Sequence, residues 1–80
     1  MMHRVKELLD IYHAEYTVVD NIFYLSDYGN VWGNIEIENG FAYFYYSNSV
    51  CKVSLNNVLL GKYVDKYLLG FDDFVKFVEG

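Results

Sequence analysis

The dipeptide Asn39-Gly40 stands between two runs of alternating side chains, residues 31–38 and 41–46. Asn and Gly most readily take the positive φ angles of a two-residue type I′ turn, whose twist matches the strands it joins. A hairpin is predicted here, and its turn sets the register. Counting outward, Glu38 opposes Phe41, Ile37 opposes Ala42, Glu36 opposes Tyr43, Ile35 opposes Phe44 and Asn34 opposes Tyr45. Strand side chains alternate between faces, so Ile35, Ile37, Ala42, Phe44 and Tyr46 share the predicted core side. Trp32, Asn34, Glu36, Glu38, Phe41, Tyr43 and Tyr45 share the other. A slip of one residue would exchange the two faces and bury Glu36 and Glu38, which argues against it.

Around this hairpin the chain reads as α+β. Val5, Leu8, Leu9 and Tyr12 recur at helical spacing and predict an amphipathic helix over residues 3–14. Residues 16–25 are rich in β-branched and aromatic types, interrupted at Asp20-Asn21 by a bulge or a tight turn. Residues 26–30 have turn composition. After Ser47-Asn48-Ser49 the signal has two readings. Either Ser54 caps a helix through Leu55, Val58, Leu59 and on toward Tyr67, or residues 64–69 form a short strand. Phe71, Phe74, Val75 and Val78 then mark a final helix, with Asp72 and Asp73 suited to its positive N-terminal end. The expectation is one domain over residues 1–80. It consists of a small antiparallel sheet of about three strands, packed with an N-terminal helix and one or two C-terminal helices.

Charge is segregated along this frame. Between Lys6 and Lys52 lie Glu7, Asp10, Glu15, Asp20, Asp27, Glu36 and Glu38, with no Lys or Arg among them. The formal net charge is -5, and residues 52–80 are balanced, so the excess sits in the middle. Trp32 and seven of the nine tyrosines lie in the same stretch. With 54% hydrophobic residues the chain is too apolar for an acidic disordered segment. Large rings can build a core even in a short chain.

Several chemistries lack their residues. The lone Cys51 allows neither an internal disulfide nor a cysteine-based zinc site. His3 and His13 are ten positions apart, roughly 80° around a helix, so no histidine pair suits a metal. Cys51 with His3 or His13 is the only Cys–His combination, and residue types alone place no nucleophile beside its base. Glu36 and Glu38 point the same way about 7 Å apart on a strand, without the deep cleft that glycosidic chemistry needs. The glycines form no phosphate-cradling loop. Residues 1–10 read as the start of a helix, so no signal peptide is expected, and no apolar run in the sequence approaches about 20 residues. Net negative charge disfavours anionic lipid and nucleic acid phosphates. The expectation is a cytoplasmic protein without catalysis, metal or cofactor, which binds neither membrane nor nucleic acid directly.

What remains is a binding surface. Exposed Trp and Tyr serve as interface anchors, and carboxylates steer toward basic surfaces. The candidate partner-binding residues are Asp20, Asp27, Trp32, Asn34, Glu36, Glu38, Phe41, Tyr43 and Tyr45, provided no helix covers the outer hairpin face. Large basic grooves belong to nucleic acid-binding enzymes, whose phosphate sites a row of carboxylates can occupy competitively while rings fill pockets meant for bases. The order helix, short strands, hairpin, helices in a short acidic chain resembles the small phage-encoded anti-CRISPR inhibitors that block Cas9. The resemblance spans the whole chain in element order and rests on strands and acidic residues. It implies an inhibitor occluding the PAM-reading or guide-binding surface of the effector in the host cytoplasm. In that role Asp20, Asp27, Glu36 and Glu38 would stand in for phosphates. The competing expectation is a self-associating structural or regulatory subunit, with the rings at 43, 45, 63, 67, 74 and 77 at an isologous interface.

Overall fold

The computed structural model describes residues 2–46 and 48–80. In chain order it has α1 (His3–Ile11), β1 (Tyr16–Val19), β2 (Ile22–Asp27), β3 (Asn30–Glu38), β4 (Phe41–Tyr46), β5 (Ser49–Ser54), α2 (Leu60–Leu69) and α3 (Phe71–Glu79). The class is α+β. The sheet has five strands rather than about three, in sequential order β1-β2-β3-β4-β5, with every neighbouring pair antiparallel.

The central hairpin has the register counted from its turn, from Glu38 opposite Phe41 to Asn34 opposite Tyr45. Asn39 and Gly40 both carry positive φ, 50° and 82°, as a type I′ turn requires. Asp20-Asn21 is a tight turn, not a bulge, since Val19 pairs directly with Ile22. It docks on β3 through Ile37 N–H to the Asn21 carbonyl (2.9 Å) and Asn21 Nδ2 to the Ile37 carbonyl (2.7 Å). The turn expected over residues 26–30 narrows to Tyr28-Gly29, because β2 continues through Asp27 and β3 starts at Asn30.

The carboxyl-terminal third departs most from expectation. Residues 49–54 form the edge strand β5, with Cys51 and Val53 opposite Phe44 and Ala42 on the core side. Ser54 caps no helix; its Oγ accepts the Asn56 N–H at 3.1 Å in a turn, and Asn57 Oδ1 accepts the Leu59 N–H at 2.7 Å just before α2. Residues 64–69 are helical, because Leu60, Val64 and Tyr67 form one apolar stripe that is wholly buried.

One layer of helices covers one sheet face. Phe23, Leu25, Ile35, Ile37, Ala42, Phe44 and Val53 of the sheet form a single core with Val5, Leu8 and Leu9 of α1, Leu60, Val64 and Tyr67 of α2, and Phe74 of α3. Tyr67 is its hub. Trp32, Phe44, Tyr46 and Phe74 surround that ring at centroid distances of 5.1, 5.1, 4.6 and 5.3 Å. Its hydroxyl donates to the Tyr45 carbonyl (2.6 Å), with the Asn34 carbonyl 3.1 Å away, so this buried hydroxyl is not stranded. Burial drives the Tyr67 phenol well above its ordinary range and pushes that of Tyr46 up to about 12. Tyr67 and Phe74 are therefore core, which removes them from the rings considered for a dimer interface.

A bulge sets the fate of Trp32. Leu25 pairs with Gly33 but Ser26 pairs with Val31, leaving Trp32 as the extra residue. The bulge turns Trp32 to the helix side, where it stacks on Tyr46 at 5.7 Å. The outer position expected from simple alternation is thus corrected. Gly33, beside the bulge, leaves room for Tyr67, because a side chain there would collide with the Tyr67 hydroxyl and lie 3.1 Å from the Tyr45 carbonyl oxygen.

Candidate protein-binding face

The sheet has a second face that no helix covers among the described residues. Val19, Ile22, Glu36, Tyr43 and Lys52 line up across all five strands, and beside them run Thr17, Tyr24, Asn34, Tyr45 and Val50. Glu38, Phe41 and Ser54 form a third row near the Asn39-Gly40 turn. None of the rings of Tyr24, Phe41, Tyr43 and Tyr45 belongs to the core cluster or packs against it. Side-chain neighbours within the face leave each of them half-buried.

Six of the nine predicted binding residues meet here: Asn34, Glu36, Glu38, Phe41, Tyr43 and Tyr45. Asp20 lies at the rim, in the β1–β2 turn, at the same end of the sheet as the Asn39-Gly40 turn. Asp27 and Trp32 do not join them. They lie at the opposite end, lining a cleft beneath the β2–β3 turn.

Local contacts shape the electrostatics of the face. The Tyr45 hydroxyl donates to Glu36 Oε1 at 3.3 Å. Partial desolvation and the neighbouring Glu36 carboxylate hold that phenol above its ordinary value, so it remains a donor at neutral pH. Sequence reasoning passed over Lys52, which opposes Tyr43. Its Nζ lies 4.1 Å from the Phe41 ring centroid and 5.8 Å from that of Tyr43. The face thus combines two carboxylates, one ammonium on an aromatic seat, and rings that offer rigid contact area at small entropic cost.

Other carboxylates of the acidic stretch have internal partners. Glu7 pairs with Arg4 at 3.4 Å and Asp10 with Lys6 at 2.9 Å. Asp10 also accepts from the Tyr16 hydroxyl at 2.6 Å, and the Tyr16 and Lys6 contacts together lower its pKa. Glu15 accepts from Ser26 Oγ (2.6 Å), Gly29 N–H (2.8 Å) and Tyr28 N–H (3.1 Å). These bonds, the Ser26 hydroxyl foremost, hold its carboxyl below its ordinary value. Glu15 buckles the start of β1 onto the β2–β3 turn. Asp20, Asp27, Glu36 and Glu38 form no ion pair among the described residues.

Among the described residues no group of three or more His, Cys, Asp or Glu is placed to hold a metal ion, and none of the helices is long and apolar enough to cross a membrane. Burial raises the Cys51 thiol above its ordinary value, away from the reactive thiolate form. The chain matches no protein-family model, and no curated protein or solved structure is significantly similar to it.

Proposed function

We propose that this chain is a small acidic binding protein that docks its outer sheet face on the basic, nucleic acid-binding surface of a target enzyme and inhibits it by occupying that surface. One observation carries the reading: Glu36, Glu38, Phe41, Tyr43 and Tyr45 stand together on a sheet face that none of the three helices covers. A rigid sheet holds carboxylates and rings at fixed spacing, so little ordering entropy is lost on docking. Lys52 tempers the negative field, which makes the rings as important as the charge. A CRISPR effector such as Cas9 is the target that the resemblance in element order suggests.

The test is affinity capture from a bacterial lysate containing CRISPR effectors, at low and moderate salt, with the Glu36→Lys/Glu38→Lys double variant alongside. Salt-sensitive recovery of a nucleic acid-binding enzyme by the parent alone is the expected result. Equal recovery by the reversed variant would reject the outer face as the docking surface.

A second reading, self-association, has its own observation. Helix α3 buries only Phe74 of its apolar stripe, leaving Phe71 46% and Val78 39% exposed. They line a groove of about 320 Å³ beside the edge strand β5, where Val50 is 58% exposed. Sedimentation across a concentration series separates the two readings, since self-association would survive the double charge reversal.

A further inference from the structure

Asp27 and Trp32 come together at the end of the sheet opposite the Asn39-Gly40 turn. Both line a cleft of about 310 Å³ with Tyr12, His13, Glu15 and Tyr28, and both line a neighbouring cavity of about 350 Å³ with Tyr46 and Gly70. Leu68 is common to the two. Trp32 is stacked on Tyr46 and packed at a tilt against Tyr67, so the indole is held where the two cavities adjoin.

The surroundings are built for positive charge. No Lys or Arg lines either cavity. Asp27 carries no ion pair among the described residues, and Glu15 stays ionised through its three hydrogen bonds. Two helices also end here. Tyr12, His13 and Ala14 follow the last turn of α1, while Leu68, Leu69 and Gly70 close α2. The carboxyl-terminal end of α1 contributes a partial negative charge, whereas at Gly70 the end of α2 is offset by the start of α3 at Phe71. The Tyr12, Tyr28 and Trp32 rings add aromatic faces, which attract cations through their quadrupole.

We infer that this cleft takes a guanidinium, the head group of an arginine side chain. A flat guanidinium matches both features at once, stacking on the indole while pairing with a carboxylate, where a compact ammonium offers no plane to stack. The site stands apart from the outer sheet face and does not rest on the function proposed above. An arginine anchored here would come from a partner that approaches the β2–β3 turn, where Tyr28 is 99% exposed at the apex.

Trp32 is the only tryptophan in the chain, so its fluorescence reports on the cleft alone. The parent is titrated with N-acetylarginine amide near pH 8, above the range where histidine ordinarily titrates. N-acetylcitrulline amide, nearly the same shape but neutral, is titrated in parallel. The expected result is a saturable change with the arginine compound only, weakened about three- to fivefold in Asp27→Asn, the size typical of a partly exposed ion pair. Glu79→Gln, which removes an exposed charge elsewhere, should leave the titration unchanged, and far-UV circular dichroism verifies that both variants are folded. A response that never saturates, that citrulline reproduces, or that Asp27→Asn leaves intact overturns the inference.

Discussion

Gly33→Ala should be among the most destabilising single-methyl additions this chain can suffer. The added carbon would collide with the Tyr67 hydroxyl and press on the Tyr45 carbonyl oxygen at 3.1 Å. Tyr67 has no accessible surface and is enclosed by Trp32, Phe44, Tyr46 and Phe74, so the ring cannot retreat without unpacking the core. Overpacking of this kind costs about 1–3 kcal/mol. Displacing the hydroxyl from the Tyr45 and Asn34 carbonyls adds about 1–2 kcal/mol. The combined loss of about 3 kcal/mol is a large part of the roughly 4–12 kcal/mol expected for a domain of this length. In urea denaturation it appears as a midpoint lowered by about 2 M with little change in slope. Tyr67→Phe supplies the control, because it removes the colliding oxygen at about 1 kcal/mol for the lost hydrogen bond. In that background Gly33→Ala should cost about 2 kcal/mol less, the coupling expected of two groups in contact. A loss under about 1 kcal/mol in the parent, or an undiminished loss in Tyr67→Phe, would refute the steric account of Gly33.

Three further outcomes rest on contacts elsewhere in the fold. Glu15→Gln should lower stability at neutral pH and flatten its acid dependence. The folded pKa of Glu15 lies below its unfolded value, so its stabilisation is complete above the unfolded pKa of about 4.3 and is lost as pH falls through the folded value; urea midpoints across the acid range measure this. Gly61→Ala should raise stability by about 0.5 kcal/mol, because the added Cβ meets only Leu8 Cδ2 at an ordinary 3.7 Å; thermal denaturation checks it. Lys52→Glu should steepen the salt dependence of partner binding by removing the one cation seated on the outer face, read as binding at two ionic strengths.

The hairpin could be read from the sequence because its determinants are local. Asn39-Gly40 specifies the turn, and alternation of Ile35, Glu36, Ile37 and Glu38 then leaves one register. Six candidate residues fall together on the outer face for the same reason. Trp32 escaped that logic because a bulge leaves it as the extra residue of β3, and its ring packs on Tyr67, which lies on a helix far along the chain and needs the space at Gly33. A glycine inside an otherwise strong strand was the only local hint. Strand β5 was hidden by its composition, since Ser49, Lys52 and Ser54 dilute the β-branched Val50 and Val53. Helix α2 was placed too early because Ser54 has cap chemistry that is used in a turn instead. The count of acidic residues overstated the free charge, because hydrogen bonds to Asp10 and Glu15 form only once α1, β1 and the β2–β3 turn are assembled.

The central claim is that the open sheet face is the surface that meets a partner. The most direct measurement is competition: purified Cas9, or the enzyme recovered by capture, is loaded with labelled nucleic acid and challenged with the parent chain and with Glu36→Lys/Glu38→Lys at two salt concentrations. The account predicts that the parent displaces the nucleic acid, less well as salt rises, and that the reversed variant does not. Displacement by both chains alike, or binding of the parent alongside undisturbed nucleic acid on the captured enzyme, would contradict it.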